Sequence, residues 1–406
     1  MASAAVGRVA LGTVVAKNYV AFARALARSL RAHCPGLSFY VLLVDELDGR
    51  FDPGVEPFEM LSLGDLVIPG RERLLFRLSL QQMLVTSKPR LLRHLLDGFD
   101  AVIYLDADVL VTGDLTPVIE AVRTGSVALT PHLLSPLSGP WQAERELAIL
   151  RSGVYNAGFV GVSNTAAARD FLGWWQDRVD LYCRHDPPAG LHNDQRWLDL
   201  VPGFFPDVAI VRDPGCNVAY WNLPERRPVL RAEGPVVADQ PIRFFHFSGF
   251  DPDTPDVMSR HANGLSREGV AAIRPLLEQY AALVRAEGHA ETKNWPYAYG
   301  CFDNGVAVPD VAREVYAALG EEADAFGNPF SAAPQESYYR WLIASAEAGE
   351  SRQAISRLWE GVYRRRPDVQ RAFPDHLGAD REAFREWARG FGAAEHGIPG
   401  PLLPEP

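Results

Sequence analysis

Ala101-Val-Ile-Tyr-Leu-Asp106-Ala-Asp108-Val-Leu-Val111 is an apolar run broken by two acidic residues two positions apart. Ala101 to Leu105 reads as a short buried strand. Open α/β sheets bind ligands beyond the carboxyl ends of their strands, and Asp106 and Asp108 fall at such an end. On an extended strand, residues two apart point the same way. Two carboxylates aimed at one point among apolar neighbours are costly unless a positive group meets them. A hard divalent cation, Mg²⁺ or Mn²⁺, shared with substrate phosphate oxygens is the simplest such group, and the small Ala107 leaves room for a ligand. The alternative is a polar turn whose aspartates cap the next element.

The pattern on either side alternates strand and helix. Val9 to Val15 and Phe39 to Val44 read as buried strands. Between them Phe22, Leu26 and Leu30 share one helical face while Arg24, Arg28 and Arg31 take the other, and Pro35-Gly36 ends the run. Leu74 to Leu96 reads as helical with a break near Lys88-Pro89. Downstream, Val127 to Thr130 is a strand, a Tyr-Asn-Ala-Gly turn precedes a strand at Phe159 to Val162, Ala166 to Tyr182 is a helix, and Phe244 to His246 is a last strand. This alternation predicts an α/β domain with a mostly parallel sheet flanked by helices over residues 1–255. From about 255 the chain turns Ala-, Arg- and Glu-rich with helical spacing, as in Val270 to Ala286 and Val311 to Leu319, so 256–406 is expected to be a mostly helical C-terminal region. Its Pro/Gly-rich end, Gly397 to Pro406, reads as frayed.

Composition narrows the function classes. The 406 residues are 47% hydrophobic and 22% charged, as in a soluble globular protein, and the formal net charge is 40 − 51 = −11. An acidic chain repels a phosphate backbone, which argues against general nucleic-acid binding; Arg364-Arg365-Arg366 reads as a solvated helix face. Cys34, Cys183, Cys216 and Cys301 are scattered, with neither zinc spacing nor a disulfide framework, which fits a reducing cytoplasm. Met1 to Leu11 is too short and too weakly apolar for a signal peptide, and no run of 18 apolar residues suggests a membrane span. Peripheral membrane contact is left open, without a basic amphipathic helix to support it.

Tyr104-Leu-Asp106-Ala-Asp108-Val-Leu-Val resembles the Asp-x-Asp signature of family 8 glycosyltransferases and their relatives of the GT-A fold, a Rossmann-like α/β architecture. Four further motifs follow that family's order across residues 12–249: Asn18-Tyr19 after the first strand, Asn156-Ala-Gly158 after the acidic pair, Asp194-Gln195, and His246-Phe-Ser-Gly249. The resemblance implies a metal-dependent, retaining glycosyltransferase with a nucleotide-sugar donor, UDP-linked foremost. Asp106, Asp108 and His246 would hold the metal, with Asp106 and Ala107 also meeting the donor. Asn18 and Tyr19 would take the base, Asn156 and Gly158 the donor sugar, and Asp194 and Gln195 would face the anomeric carbon. Bland roles compete for each: Asn18 and Asp194 are good helix N-caps, and His246 would pass for a core histidine.

The chain departs from the family at two places. Ala16 stands where the family often has an acidic contact to uracil. Phe250-Asp-Pro-Asp follows the histidine motif where a diphosphate-binding lysine is common, so Lys88, one helix before the acidic strand, is the expected donor cation. Rival readings are a sugar nucleotidyltransferase, disfavoured because Gly12-Thr-Val-Val-Ala-Lys lacks a Gly-rich phosphate loop, and a non-catalytic sugar-nucleotide-binding scaffold. An inverting reaction with Asp194 as base stays open. The acceptor, whether glycan, lipid-linked sugar, small metabolite or protein, is unread. Leu66 to Leu78 and Ser135 to Arg151 are candidate lids. Cys216 to Asn222 is polar and aromatic enough for a sugar site, and Asn294 to Gly305 would line an acceptor pocket or dock the C-terminal region.

Overall fold

In the computed structural model, which describes residues 8–139, 141–261, 267–346 and 354–405, β1 (Val9–Val15) is buried at all seven positions and β4 (Ala101–Leu105) at all five. Strands without a solvent face belong in the middle of a covered sheet. The two lie there side by side and parallel, with Gly12 opposite Tyr104. With β2 (Ser38–Leu43), β3 (Glu59–Ser62), β6 (Val127–Pro131), β7 (Tyr155–Ser163) and β8 (Val208–Ile210) they form a seven-stranded sheet in the order β8-β6-β7-β4-β1-β2-β3. Every neighbouring pair is parallel except those made by β7, which runs against both β4 and β6. β5 (Val109–Val111) leaves the sheet and pairs antiparallel with β9 (Phe244–His246). The α/β class with a mostly parallel sheet is therefore as expected.

Helices cover the sheet through close contacts. In α1 (Val20–His33) Phe22, Leu26 and Leu30 are buried while Arg28 and Arg31 are exposed. Leu91 and Leu95 of α3 (Leu80–Leu95) press on Gly12, and Val122 of α4 (Thr116–Thr124) presses on Gly161. The helix break expected at Pro89 lies elsewhere. α2 (Arg71–Arg77) ends at Leu78, which is extended (φ −98°, ψ 137°), and α3 runs through Pro89. Ser79 restarts the helix: its amide donates to Gln82 Oε1 at 2.9 Å and its Oγ accepts from the Gln82 amide at 3.3 Å. Burial of Met83, Leu91, Leu92 and Leu95 outweighs the ~3 kcal/mol penalty of an internal proline.

The chain forms two compact units, one of residues up to Val67 together with Leu84–Pro296, the other of Ile68–Met83 with Tyr297 onward. The division expected near 255 thus falls some forty residues later. Helical composition alone suggested the earlier boundary, but the helix Arg267–Ala286 buries Ile273, Leu276, Leu277, Tyr280 and Val284 in the first unit's core, with Tyr280 stacked on Phe247 at 3.8 Å.

The second unit is helical, with helices at Asp310–Ala318, Tyr338–Ile343, Arg357–Arg365 and Arg381–Trp387. Its core surrounds Phe76, which meets Phe302, Tyr316, Phe330 and Tyr338 with ring centroids 4.9–5.7 Å apart. The C-terminal stretch expected to fray is anchored there instead. Ile398 and Leu402 are buried, and Trp359 Nε1 donates to the Leu402 carbonyl at 2.9 Å; Pro406 lies outside the described residues, as does most of the N-terminal stretch weighed as a leader.

Candidate active site

Asp106 and Asp108 lie on a tight turn and not on the extended strand that the sequence suggested: β4 ends at Leu105, and the Val109 amide donates to the Asp106 carbonyl at 3.2 Å. Their convergence comes from pairing. The register of β5 on β9 sets Val109 opposite His246, and the Phe247 amide donates to the Asp108 carbonyl at 2.8 Å. His246 Nε2 then lies 3.1 Å from Asp108 Oδ1 and 3.8 Å from Asp106 Oδ2. Ligand atoms around an ion at roughly 2.1 Å sit about 3 Å apart in cis positions, so the three groups fit a hard divalent cation. Gly158 completes the cradle. A Cβ there would stand 2.3 Å from His246 Cε1 and 2.8 Å from Asp106 Oδ2.

The antiparallel run of β7 explains why Asn156 to Gly158 are here. Reversal puts the start of β7 beside the end of β4, with Leu105 opposite Phe159 and the Asp106 amide donating to the Gly158 carbonyl at 3.0 Å. The three residues are strand rather than the expected turn. The β6–β7 register shifts between Leu129 and Pro131, an irregularity of the kind that re-aims side chains beside sites.

Amide side chains then orient the histidine. Asn217 Nδ2 donates to Thr130 Oγ1 (2.8 Å) and to Asn156 Oδ1 (3.0 Å), which leaves Asn217 Oδ1 as an acceptor 3.2 Å from His246 Nδ1. An Nδ1 proton donated to that oxygen would leave Nε2 to face an ion held by the carboxylates, Asn217 being the usual second partner of a metal-binding imidazole. Asn156 Nδ2 donates to Gln195 Oε1 (3.1 Å) and His132 Nε2 (3.2 Å), while Gln195 Oε1 also accepts from the Ala157 amide (3.1 Å) and Gln195 Nε2 donates to the Ser152 carbonyl (2.9 Å). Burial pushes His132 down to about 4, so it stays a neutral acceptor. Asn217 has φ +54°. Its role was not visible in the sequence, although the Cys216 to Asn222 stretch was marked by its density of polar and aromatic groups. Trp221 of that stretch stands edge-on to both His246 and His132, centroids 5.2 Å apart.

Lys88, expected as the donor cation, stands beside the acidic pair. It is 4% exposed, and its Nζ lies 3.2 Å from Asp106 Oδ1, 3.1 Å from Asp194 Oδ2 and 3.1 Å from the Ala157 carbonyl it donates to. Burial opposes the charge, but Asp106 and Asp194 outweigh it and hold the ammonium above the ordinary lysine value. Lys88 therefore ties Asp194 to Asp106 inside the protein, and its ammonium is committed there. Tyr104 donates to the same Asp106 oxygen at 2.7 Å, leaving Oδ2 to face His246. Asp194 makes no side-chain cap, so the helix-start alternative is not realised.

At the end of β1, Ala16 is buried and Asn18 and Tyr19 lie on a one-turn helix, Lys17–Tyr19; neither side chain caps the helix that follows. Tyr19 is 39% exposed and stacked on Phe22 at 4.4 Å. Packing around the ring, then Asp108, push its phenol up. Lys17, unremarked in the sequence, is fully buried and bound to Asp45, Asp48 and the Glu46 carbonyl.

The two expected lids differ. Leu66 to Leu78 includes Phe76 at the heart of the second unit's core, and Arg313 binds the carbonyls of Leu75, Phe76 and Leu78. The helix Gln142–Ser152 buries no residue, with Leu147 and Leu150 half-exposed. In the stretch Asn294 to Gly305, Trp295 stacks on Phe51 in the first unit while Phe302 is buried in the second. The four cysteines are free, and among the described residues no helix is long and apolar enough to cross a membrane.

No family model matches the chain. Two proteins of Bacillus subtilis (strain 168), YfnD and YfnF, both called uncharacterized, are 28% identical to it. The match to YfnD spans 246 residues, 59% of this chain and 76% of YfnD; that to YfnF spans 249 residues, 59% and 80%. Among solved structures, the chain is similar to the galactosyltransferase LgtC in complex with donor and acceptor sugar analogues (17% identity, TM-score 0.42, 68% of this chain and 95% of LgtC). It is also similar to the glycosyltransferase GlyE of Streptococcus pneumoniae TIGR4 (15% identity, TM-score 0.41, 77% and 72%).

Proposed function

We propose that the chain is a glycosyltransferase that takes a sugar from a nucleoside-diphosphate donor, UDP-linked foremost, with a divalent ion held by Asp106, Asp108 and His246. The observation that carries this reading is the convergence of Asp106, Asp108, Asn156, Gly158, Asp194, Gln195 and His246 in one hydrogen-bonded and ion-paired cluster at the carboxyl end of β4. Ligand binding in open α/β sheets belongs at that end.

When bound, a Mg²⁺ or Mn²⁺ ion at these residues supplies charge that stabilises the departing nucleoside diphosphate. The chain's own groups do the rest. Tyr104 and Lys88 hold Asp106 so that one oxygen stays outward. Asn217 holds His246 in the tautomer that presents Nε2. Asn18 and Tyr19 take the base, and Gly158 leaves space for the sugar against Asn156. Gln195 Oε1 already accepts two hydrogen bonds and Asp194 is bound to Lys88, so in our reading both act through fixed oxygen dipoles near an oxocarbenium-like centre and neither as a free nucleophile. In our reading the anomeric configuration is retained.

A thermal-shift series of UDP-, GDP- and dTDP-sugars, with and without Mn²⁺, tests the reading on the native protein and on Asp108→Ala. Binding to the folded state raises the midpoint. One nucleotide is expected to raise it in a manner that needs both metal and Asp108. No shift with any nucleotide would overturn the donor assignment, and an inverted product anomer would move Asp194 to the role of base.

A further inference from the structure

A divalent ion and the carboxylates of Asp106 and Asp108 sum to zero charge. Lys88 and Asp194 sum to zero beside them. Lys17 is spent on Asp45 and Asp48. A doubly charged diphosphate brought to this site would therefore meet no net positive field from these groups, although such clefts bind anions through one. A cation on the rim would supply that field.

The segment after His246 supplies one. The chain turns at Gly249 (φ +71°) and returns eleven residues after it, where the Arg260 amide donates to the Gly249 carbonyl at 3.0 Å. A Cβ on Gly249 would stand 2.6 Å from His261 Cδ2 and 2.8 Å from Ser259 Oγ, so this return packs into the space that only glycine leaves. His261 is tilted against Tyr220 (6.5 Å between centroids), Tyr220 meets Trp221 edge-on (5.1 Å), and Trp221 meets His246 edge-on (5.2 Å), a chain of rings from the return to the metal-site histidine. Arg260 is exposed; its Nε donates to His261 Nε2 at 3.3 Å, and among the described residues it pairs with no carboxylate. The Tyr19 phenol feels both Asp108 and Arg260.

We infer that Arg260 binds the diphosphate of the nucleotide donor, the part that the sequence assigned to Lys88. The inference rests on the proposed glycosyltransferase reading. A guanidinium suits the role because it offers two parallel N–H donors to phosphate oxygens and stays charged at any working pH. Gly249 is then required for placing Arg260, and Arg260→Lys keeps charge while losing the paired donors.

Calorimetric titration of UDP, GDP and dTDP in the presence of Mn²⁺ tests this on native protein, Arg260→Gln and Arg260→Lys, with Mn²⁺ alone as the control titration. For the nucleotide that the native protein binds, Arg260→Gln is expected to raise Kd about ten- to a hundredfold, and Arg260→Lys to recover part of that loss. The Mn²⁺ Kd and the melting midpoint should stay within error of native. Unchanged diphosphate affinity in Arg260→Gln overturns the inference and leaves the glycosyltransferase reading standing. Loss of Mn²⁺ binding together with diphosphate binding overturns it too, since the role would then be structural. If the native protein binds none of the three diphosphates, the reading of the site itself fails and this inference with it.

Discussion

Gly158 sits where the proposed metal site has no room for a side chain. Its backbone carbonyl accepts from Asp106 while its missing Cβ is the space between His246 Cε1 and Asp106 Oδ2. Gly158→Ala should therefore fold, since the strand tolerates alanine, yet push His246 off Asp106 and lose Mn²⁺ affinity by at least tenfold in a metal titration; native affinity would show that the cradle is looser than these distances. Lys88→Met addresses the opposite side of Asp106. Removing one partner of a buried ionic cluster leaves carboxylates uncompensated, at about 3–5 kcal/mol, so the urea unfolding free energy should fall by that order. A donor contact on the surface would instead leave stability near native and weaken nucleotide binding alone. That the acidic pair and His246 come together was legible because few residue types bind hard cations and because their order along the chain matched a known pattern. Asn217 was not, since its effect depends on a left-handed backbone and on Thr130 and Asn156, 87 and 61 positions away.

At the scale of elements, the sequence pattern placed β1, β2, β4, β6 and the helices Val20–His33 and Ala166–Tyr182, because buried strands read as short apolar runs bounded by turn residues and amphipathic helices carry a strong period. The direction of β7 left no such mark, and with it the reason Asn156 reaches the site. The joint between β6 and β7 makes a pH prediction. His132 follows β6, its amide donates to the Val154 carbonyl at 2.9 Å, and its Nε2 accepts from Asn156. Burial depresses this histidine from 6.5 to about 4. The unfolded chain therefore binds a proton that the native state refuses, and stability falls as pH drops from 6.5 toward 4. The full loss is roughly 3 kcal/mol from a shift of this size. Urea unfolding of native protein and His132→Gln at matched pH values isolates it: the native curve should lose stability more steeply across that window. Parallel curves would mean that His132 is protonated as readily folded as unfolded.

For the whole molecule, the decisive feature is the short segment Ile68–Met83, which belongs to the second unit although the first unit's chain surrounds it on both sides. Composition could not reveal this, because Leu74, Leu75 and Phe76 look like any amphipathic turn until their partners are known. In the structure Phe76 is fully buried among aromatic residues from Phe302 to Tyr338, and three carbonyls of the segment bind Arg313. A chain ended at Pro296 keeps the strands and Asp106, Asp108 and His246 but strips every one of those partners from the segment. Leu74, Leu75 and Phe76 would then face water together, an apolar patch of the kind that drives association. Such a truncated chain is expected to bind a hydrophobic dye and to elute as oligomers, while Leu74→Ser, Leu75→Ser and Phe76→Ser introduced together should return it to a monomer. The same triple substitution in the full chain should do the reverse, since replacing a buried Phe by a small residue alone costs about 3–5 kcal/mol. A dye-silent, monomeric truncated chain without these substitutions would show that the segment has a second set of partners within the first unit, and that the division into units at 296 is not a division in folding.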